Sequence, residues 1–431
     1  MKPGFYTIIA AQFFSSFADN ALLVAAIALM VELDGPEWMT PLLKFFFVIS
    51  YVFLAGAVGP FADSMPKGRA MFITNLIKIL GCSMMFCYDL ITPAWVPEYT
   101  MVLVAYAVVG LGAAAYSPAK YGILTELLPA EQLVIANAWI EGLTVLSVIL
   151  GTVLGGALIS PVIASRLLSI EVPHLDIGID TPAEAAIAVV AICYLIAAVV
   201  NLYIPDTGAR YARQSFNPIR IMREFNRCFS VLWKDKLGQI SLATTTLFWG
   251  AGATLQFIVL KWAEVHLGMG LDRATRLQGV TAIGIAAGAI LAARLVPLAR
   301  SVNVLPMGIA MGLTVLAMTQ VTWMPLVYAL LILIGAMAGF FVVPMNALLQ
   351  HRGYVLLSAG SSIAVQNFNE NLSILIMLAV YALLLHADLH INTVIILFGS
   401  FVAGVMYLIL RRHRYNLRMA QGEDTASDHP G

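Results

Sequence analysis

The chain has 431 residues, of which 60% are hydrophobic and only 11% charged, and its mean hydropathy is +0.88. Soluble domains carry about a quarter charged residues, so no water-exposed globule can hide this much apolar surface. Formal charge balances at zero, 24 basic against 24 acidic residues, which removes any whole-molecule attraction to nucleic acid or acidic partners.

Apolar stretches of about 20 residues, the length a roughly 30 Å hydrocarbon layer demands of a helix, recur from end to end. A membrane β-barrel would show short alternating segments instead. The first stretch, 5–32, outruns a signal peptide, carries Asp19 at its middle and lacks a small-residue cleavage site, so it reads as a retained span. Turn residues and charges then bound spans near 41–62, 70–90, 99–119, 132–160 and 184–204. After a polar stretch, six more follow near 238–265, 274–296, 304–322, 325–349, 355–385 and 392–411. The expectation is an all-α integral membrane protein of twelve spans. It divides into an N-terminal half (1–204), a linker (205–236), a C-terminal half (237–412) and an unstructured tail (413–431).

Twelve spans place both termini on one side. That side holds eighteen basic residues: Lys2, Lys67, Arg69, Lys120, the linker's five arginines and two lysines, Arg294, Arg300, Arg352, Arg411, Arg412, Arg414 and Arg418. The opposite loops hold Arg166, Arg273 and Arg276 among Glu37, Glu98, Glu171, Asp176, Asp180, Asp272 and Asp388. The positive-inside rule makes the termini and linker cytoplasmic. Within the linker, Phe216, Ile219, Arg220 and Arg223 fit an amphipathic surface helix grazing anionic headgroups, but a plain solvated connector is the preferred reading. Cys82, Cys87, Cys193 and Cys228 lack metal-type spacing and read as small hydrophobes.

The two halves echo one another. The segment around Pro118, GLGAAAYSPAKYGIL, is matched by GAMAGFFVVPMNALL around Pro344, with Lys120 facing Asn346 at an offset of 226. Asn137 and Glu141 in span 5 match Gln366 and Glu370 in span 11 at an offset of 229. Two matches at nearly one offset indicate duplication into parallel six-helix halves, the layout of major facilitator transporters, whose binding site lies at the interface near the midplane. Between spans 2 and 3, Gly59, Asp63, Lys67 and Arg69 resemble that superfamily's loop signature, in which a glycine permits close helix contact and acid and base form gate contacts. The second half keeps only Gly288 and Arg294 of this pattern.

An ionisable side chain at mid-membrane costs roughly 2.5–3.5 kcal/mol on insertion scales, so it faces a cavity or a partner. Asp19 with Asn20 in span 1, Lys78 in span 3, Glu141 in span 5 and Glu370 in span 11 are such residues. Ser15 joins Asp19, Asn137 joins Glu141 and Gln366 joins Glu370 on shared helix faces. For the two glutamates, interhelical packing and substrate contact both stay open. Lys78 reads as a buried partner for Asp19 or Glu141, Lys120 either snorkels or binds, and Lys261 reads as a surface anchor. The seven histidines form no acyltransferase, metal or nucleophile pairing, and no Walker loop is present, so neither enzyme chemistry nor a cofactor is expected. The glycine-rich runs 110–115 and 151–156 read as helix-contact surfaces.

At FADNALL (17–23), AAAYSPAKYGIL (113–124), ANAWIE (136–141), GFFVVPMNALLQ (339–350) and AVQNFNEN (364–371), the chain resembles the bacterial lysophospholipid transporter family of the major facilitator superfamily. The resemblance implies a flippase of the bacterial inner membrane. Lysophosphatidylethanolamine and lysophosphatidylglycerol would move by alternating access to the cytoplasmic leaflet, where an acyltransferase–acyl-carrier-protein synthetase remakes the diacyl lipid. On this reading Asp19, Glu141 and Glu370 meet an ammonium head, Lys120 or Lys78 the phosphate, and Asn20, Asn137, Gln256, Asn346 and Gln366 line the path. The family pattern implies an arginine in span 7 where this chain has Gln256, and Lys261, roughly 140° round the helix, is a poor substitute. The rival expectations are a proton-coupled carrier or exporter of small amphipathic molecules and a non-transporting scaffold that docks the acyltransferase.

Overall fold

The computed structural model describes residues 3–36, 39–169, 179–211, 217–269 and 271–427, with side chains for all of these except 3, 41, 271–275 and 420–427. Lys2, Glu37, Glu171, Asp176, Arg213 and Phe216, used above, lie outside the described residues, as do the side chains of Asp272 and Arg273.

Sixteen α-helices and short 3-10 turns make up the described structure, and no strand occurs among the described residues. They are α1 (Pro3–Glu32), α2 (Thr40–Phe53), α3 (Ala55–Asp63), α4 (Lys67–Phe86), α5 (Tyr88–Ile91), α6 (Glu98–Leu127), α7 (Leu133–Leu158), α8 (Pro161–Leu168) and α9 (Pro182–Leu202). Then come α10 (Pro218–Lys234), α11 (Gly238–Leu267), α12 (Leu271–Leu295), α13 (Leu305–Leu316), α14 (Met324–Leu356), α15 (Ala359–His386) and α16 (Ile391–Ser427). Among the described residues, eleven segments are long and apolar enough to cross a membrane singly, and α2 with α3 form a twelfth bent by 67°.

Local chemistry sets the ends. Thr181 and Glu184 form a reciprocal capping box with Pro182 at the first helical position, which starts α9. Gly268, in the left-handed region at φ 60°, stops α11. Four features differ from expectation. Span 2 is not straight: the bend falls at Leu54, just ahead of Gly56, Gly59 and Pro60, residues that weaken helical continuity. Spans 4 and 10 run on past their expected ends to Leu127 and Leu356, and Pro118 and Pro344 sit inside α6 and α14, as packed membrane helices tolerate. The tail expected to be unstructured from 413 carries helical backbone to Ser427, continuing α16.

Two compact units divide the chain: 1–127 with 143–225 and 358–367, and 128–142 with 226–357 and 368–431. Each thus takes a short segment from the other sequence half. Inside the first, α1 packs on α9, α4 on α9, and α2 on α6; inside the second, α11 packs on α16, α13 on α16, and α12 on α14. Numbered as spans these pairs are 1·6, 3·6 and 2·4, then 7·12, 9·12 and 8·10, so the repeat is visible in the packing. The first core gathers Leu22, Leu29, Met85, Tyr106 and Tyr194; the second gathers Ile258, Trp262, Met318, Val327 and Ile395. Small residues permit close approach: a Cβ on Gly288 would lie 2.0 Å from Ala336 O, and one on Gly339 2.1 Å from Ile285 O. The two glycine runs likewise face neighbours, Gly110 meeting Phe47 and Gly151 meeting Phe17.

Candidate functional site

The first unit holds an ion pair among apolar helices. Lys78 Nζ donates to Asp19 Oδ1 at 2.8 Å, to Asp19 Oδ2 at 2.9 Å and to Ser15 Oγ at 3.0 Å. Ser15 Oγ donates to Asn75 Oδ1 at 2.9 Å, and Tyr194 OH donates to Asp19 Oδ1 at 2.7 Å. The ammonium also lies 5.1 Å and 5.4 Å from the ring centroids of Tyr116 and Tyr194. Gly112 lets α6 close on Lys78, since a Cβ there would meet Lys78 Cγ at 2.8 Å. The Lys78 side chain is 1% exposed and that of Asp19 21%, so the acid is the accessible member. Of the two partners open to Lys78 on sequence, it takes Asp19. Asn20 stands apart, its amide returned to Ser16 O at 2.7 Å, and Lys120 lies 4.2 Å from the ring centroid of Tyr121.

The second unit holds amides where the first holds charge. Asn137 and Gln350 exchange two hydrogen bonds, each 2.9 Å, and Asn346 Nδ2 donates to Glu141 Oε1 at 3.3 Å. Residues 137 and 141 are one turn apart on α7, as 346 and 350 are on α14, so the two helices present matching faces. All four are buried. Glu370 is buried in this unit, and Gln366 is buried in the first. Gln256 is exposed on α11 and donates to Gln278 Oε1 at 2.8 Å. Lys261 pairs with Glu264 at 3.0 Å on the surface, as an anchor would.

The loop signature builds a third cluster, inside the first unit. Asp63 Oδ1 accepts from Gly360 N at 2.9 Å and Oδ2 accepts from Ser358 Oγ at 2.5 Å. Ser358 Oγ also accepts from Ser361 N at 3.3 Å, capping α15, so the Asp63 carboxylate sits on the positive end of that helix. Two glycines make room: a Cβ on Gly59 would lie 2.8 Å from Ser361 Cα, and one on Gly360 2.6 Å from Asp63 Oδ1. Lys67 bonds to Asp63, donates to Ala62 O at 3.0 Å and lies 3.5 Å from Glu126 Oε1. Glu126 accepts from Tyr211 OH at 2.8 Å and Thr207 Oγ1 at 2.7 Å, which ties the start of the linker to the cluster. Burial and the Glu126 carboxylate push the Tyr211 hydroxyl up, keeping it a donor. Two carboxylates against one ammonium leave an excess negative charge, which the α15 terminus and these hydroxyls offset. Arg69 is exposed and makes no ion pair among the described residues, so Lys67 alone supplies the base.

Outside the spans, Asp235 joins Arg352 through bonds of 3.0 and 2.5 Å. Burial raises this carboxyl, but Arg352 and the amides of Gly238 and Leu237 outweigh it and hold it below the usual range.

Twelve spans in two sets paired in the same order, with an ion pair held among apolar helices, define a multi-pass membrane carrier. Residues 8–378 match the Major Facilitator Superfamily model. The chain is 41% identical over 384 residues to the "Lysophospholipid transporter LplT" of Yersinia enterocolitica serotype O:8 / biotype 1B, covering 89% of this chain and 87% of that one. It is 42% identical over 378 residues to the protein so named in Yersinia pestis (strain Pestoides F), covering 87% and 85%. Among solved structures, a bacterial homologue of the iron transporter ferroportin in an outward-facing state has a TM-score of 0.72 at 12% identity, covering 97% of this chain and 100% of that one. FucP in the outward conformation has a TM-score of 0.69 at 14% identity, covering 94% and 97%. These two likenesses concern the fold alone. The chain belongs to the major facilitator superfamily and, within it, to the lysophospholipid transporter family.

Proposed function

We propose that the protein carries lysophospholipids across the bacterial inner membrane, from the outer to the cytoplasmic leaflet, by alternating access, with both termini and the linker cytoplasmic. The substrate class rests on the lysophospholipid transporters it matches over most of its length. The observation that carries the mechanism is the Asp19–Lys78 pair, in which the acid keeps partial exposure beside a fully enclosed base. A lysolipid bringing an ammonium and a phosphate competes for both members at once. Exchange of partners lets a charged head enter without leaving either protein charge bare. Phosphatidylethanolamine- and phosphatidylglycerol-type heads both fit this scheme, the second through Lys78 and Lys120.

The Asp63 cluster and the Asn137–Gln350 and Glu141–Asn346 bonds join residues from opposite sequence halves. When the halves rock in alternating access these bonds break, so they act as a cytoplasmic gate, with Gly59, Asp63 and Lys67 at its centre. The delivered lysolipid then meets an acyltransferase–acyl-carrier-protein synthetase on that side.

The test is flipping of labelled lysophosphatidylethanolamine and lysophosphatidylglycerol by the purified protein in vesicles, with and without ion gradients. Flipping above protein-free vesicles is expected. Its absence for both heads sinks the reading. The partly exposed Asp19 carboxylate within a span, bonded by Tyr194 OH, favours one second reading, a proton-coupled carrier of small amphipathic molecules. Uptake that vanishes when the pH gradient is collapsed would support it.

A further inference from the structure

The linker helix α10 is not the solvated connector that the sequence favoured. Ile221 and Phe225, one turn apart, pack on Gly56 of α3, where a Cβ would lie 3.3 Å from Ile221 Cγ2. Gly56 precedes Asp63, the end of α3, by seven residues, roughly 10 Å of helix. α10 therefore packs against α3, the second limb of the bent membrane-crossing segment, on the side where that segment ends.

Its neighbouring face is uncovered. Ile219 is 72% exposed and Met222 54%, while Arg220 and Arg223 are exposed and make no hydrogen bond or ion pair among the described residues. Ile219, Arg220 and Arg223, with Asn217 and the half-buried Glu224, border an open depression of about 510 Å³. Arg227 and Lys234 continue the exposed charge along the helix. Aliphatic and guanidinium groups side by side are poorly served by bulk water alone, whereas a charged lipid boundary satisfies both.

We propose that α10 is a docking surface for the anionic lipid leaflet on the linker's side, with Ile219 and Met222 entering the acyl boundary and Arg220 and Arg223 taking phosphate headgroups. Contact with a membrane-crossing segment, aliphatic side chains left exposed and the positive sign of the neighbouring charge select an anionic lipid surface over a soluble partner. The inference does not depend on which substrate is carried.

The test places a nitroxide on Met222→Cys in the full chain with its native cysteines replaced, reconstituted in phosphatidylcholine vesicles with or without phosphatidylglycerol. Shielding from a water-soluble nickel chelate, with access to oxygen, is expected, several-fold stronger when phosphatidylglycerol is present. Arg220→Gln with Arg223→Gln should abolish that difference. Equal nickel access in both lipids, or a difference that survives the double substitution, overturns the proposal. So does a label that stays aqueous in vesicles and is shielded only by added soluble protein. Because the labelled chain must fold, phosphatidylglycerol retained by the otherwise unaltered protein is measured too, by native mass spectrometry. Retention should fall several-fold in the double variant, and unchanged retention overturns the proposal independently.

Discussion

The polar centre of the first unit is ionic, while that of the second is built mainly of amides. Asp19 and Lys78 form a two-bonded ion pair boxed by tyrosines, whereas Asn137 and Gln350 trade neutral hydrogen bonds and Glu141 accepts from the Asn346 amide. A duplicated fold has thus placed different chemistry at its two centres. In the Asp19–Lys78 pair neither member can be lost without stranding a charge; in the Asn137–Gln350 pair a lost partner leaves a neutral dipole. On the proposed function, charge exchange belongs with the Asp19–Lys78 pair of the first unit, while closure involves both the Asp63 cluster of the first unit and the amide bonds of the second.

The largest effect should come from breaking the ionic centre. Asp19→Asn leaves the Lys78 ammonium buried without an anion, a change that costs about 3–5 kcal/mol when one partner of a buried pair is removed. Thermal unfolding in detergent should drop and flipping should fall to background. Adding Lys78→Met removes the stranded charge, so stability should largely return while flipping does not. A double variant as unstable as the single one would mean that the pair does not hold α1 to α4.

The Asp63 cluster should give the next effect. Asp63→Asn keeps an acceptor for Gly360 N–H and leaves Glu126 to hold the Lys67 charge, but loses the carboxylate on the α15 terminus, worth about 0.3–1 kcal/mol at exposed sites and up to about 2 when partly buried. A Ser361→Cys reporter should then alkylate several-fold faster, because the closed arrangement is less favoured. Unchanged reactivity would remove Asp63 from the gate.

The amide centre should respond least in stability among the buried sites. A double-mutant cycle of Asn137→Leu and Gln350→Leu should return a coupling of about 0.6 kcal/mol, reaching about 1.7 at most, as interhelical hydrogen bonds in membranes do. Flipping should persist within a few-fold. A coupling as large as that of Asp19 and Lys78 would erase the contrast between the units.

Much of this was legible beforehand because the bilayer makes sequence speak plainly. Length and apolarity define spans, and a mid-span Asp19 or Lys78 has few affordable fates. The partner was harder: helix faces bring Ser15 to Asp19, but only packing decides between Asp19 and Glu141 for Lys78. Glu126, Ser358, Tyr211 and Gln350 were missed altogether. Glu126 closes an apolar helix with no motif around it, and its role depends on a linker hydroxyl 85 residues away. Ser358 did carry a local signal, a serine three residues before the amide it caps at a helix start. Arg69 was assigned to the gate by motif spacing, yet its side chain is exposed and pairs with no acid among the described residues. The bend at Leu54 and the run of α6 on to Leu127 escaped because proline, glycine and a charge signal helix ends in water but not reliably in packed membrane helices.

The finest probe of the contrast is Gln256, which stands where the family pattern implies an arginine. It is exposed on α11 and its amide bonds Gln278, so Gln256→Arg retains a donor to Gln278 Oε1 and should change stability by no more than about 0.5 kcal/mol. What changes is charge. The second unit gains a cation where its centre offers amides and carboxylates, so an anionic head should be favoured over a zwitterionic one. The ratio of lysophosphatidylglycerol to lysophosphatidylethanolamine flipping should therefore rise a few-fold, with Asp19 still required for both. If the ratio stays constant, the Gln256 side chain faces away from the substrate path, and headgroup choice belongs to the ionic centre alone.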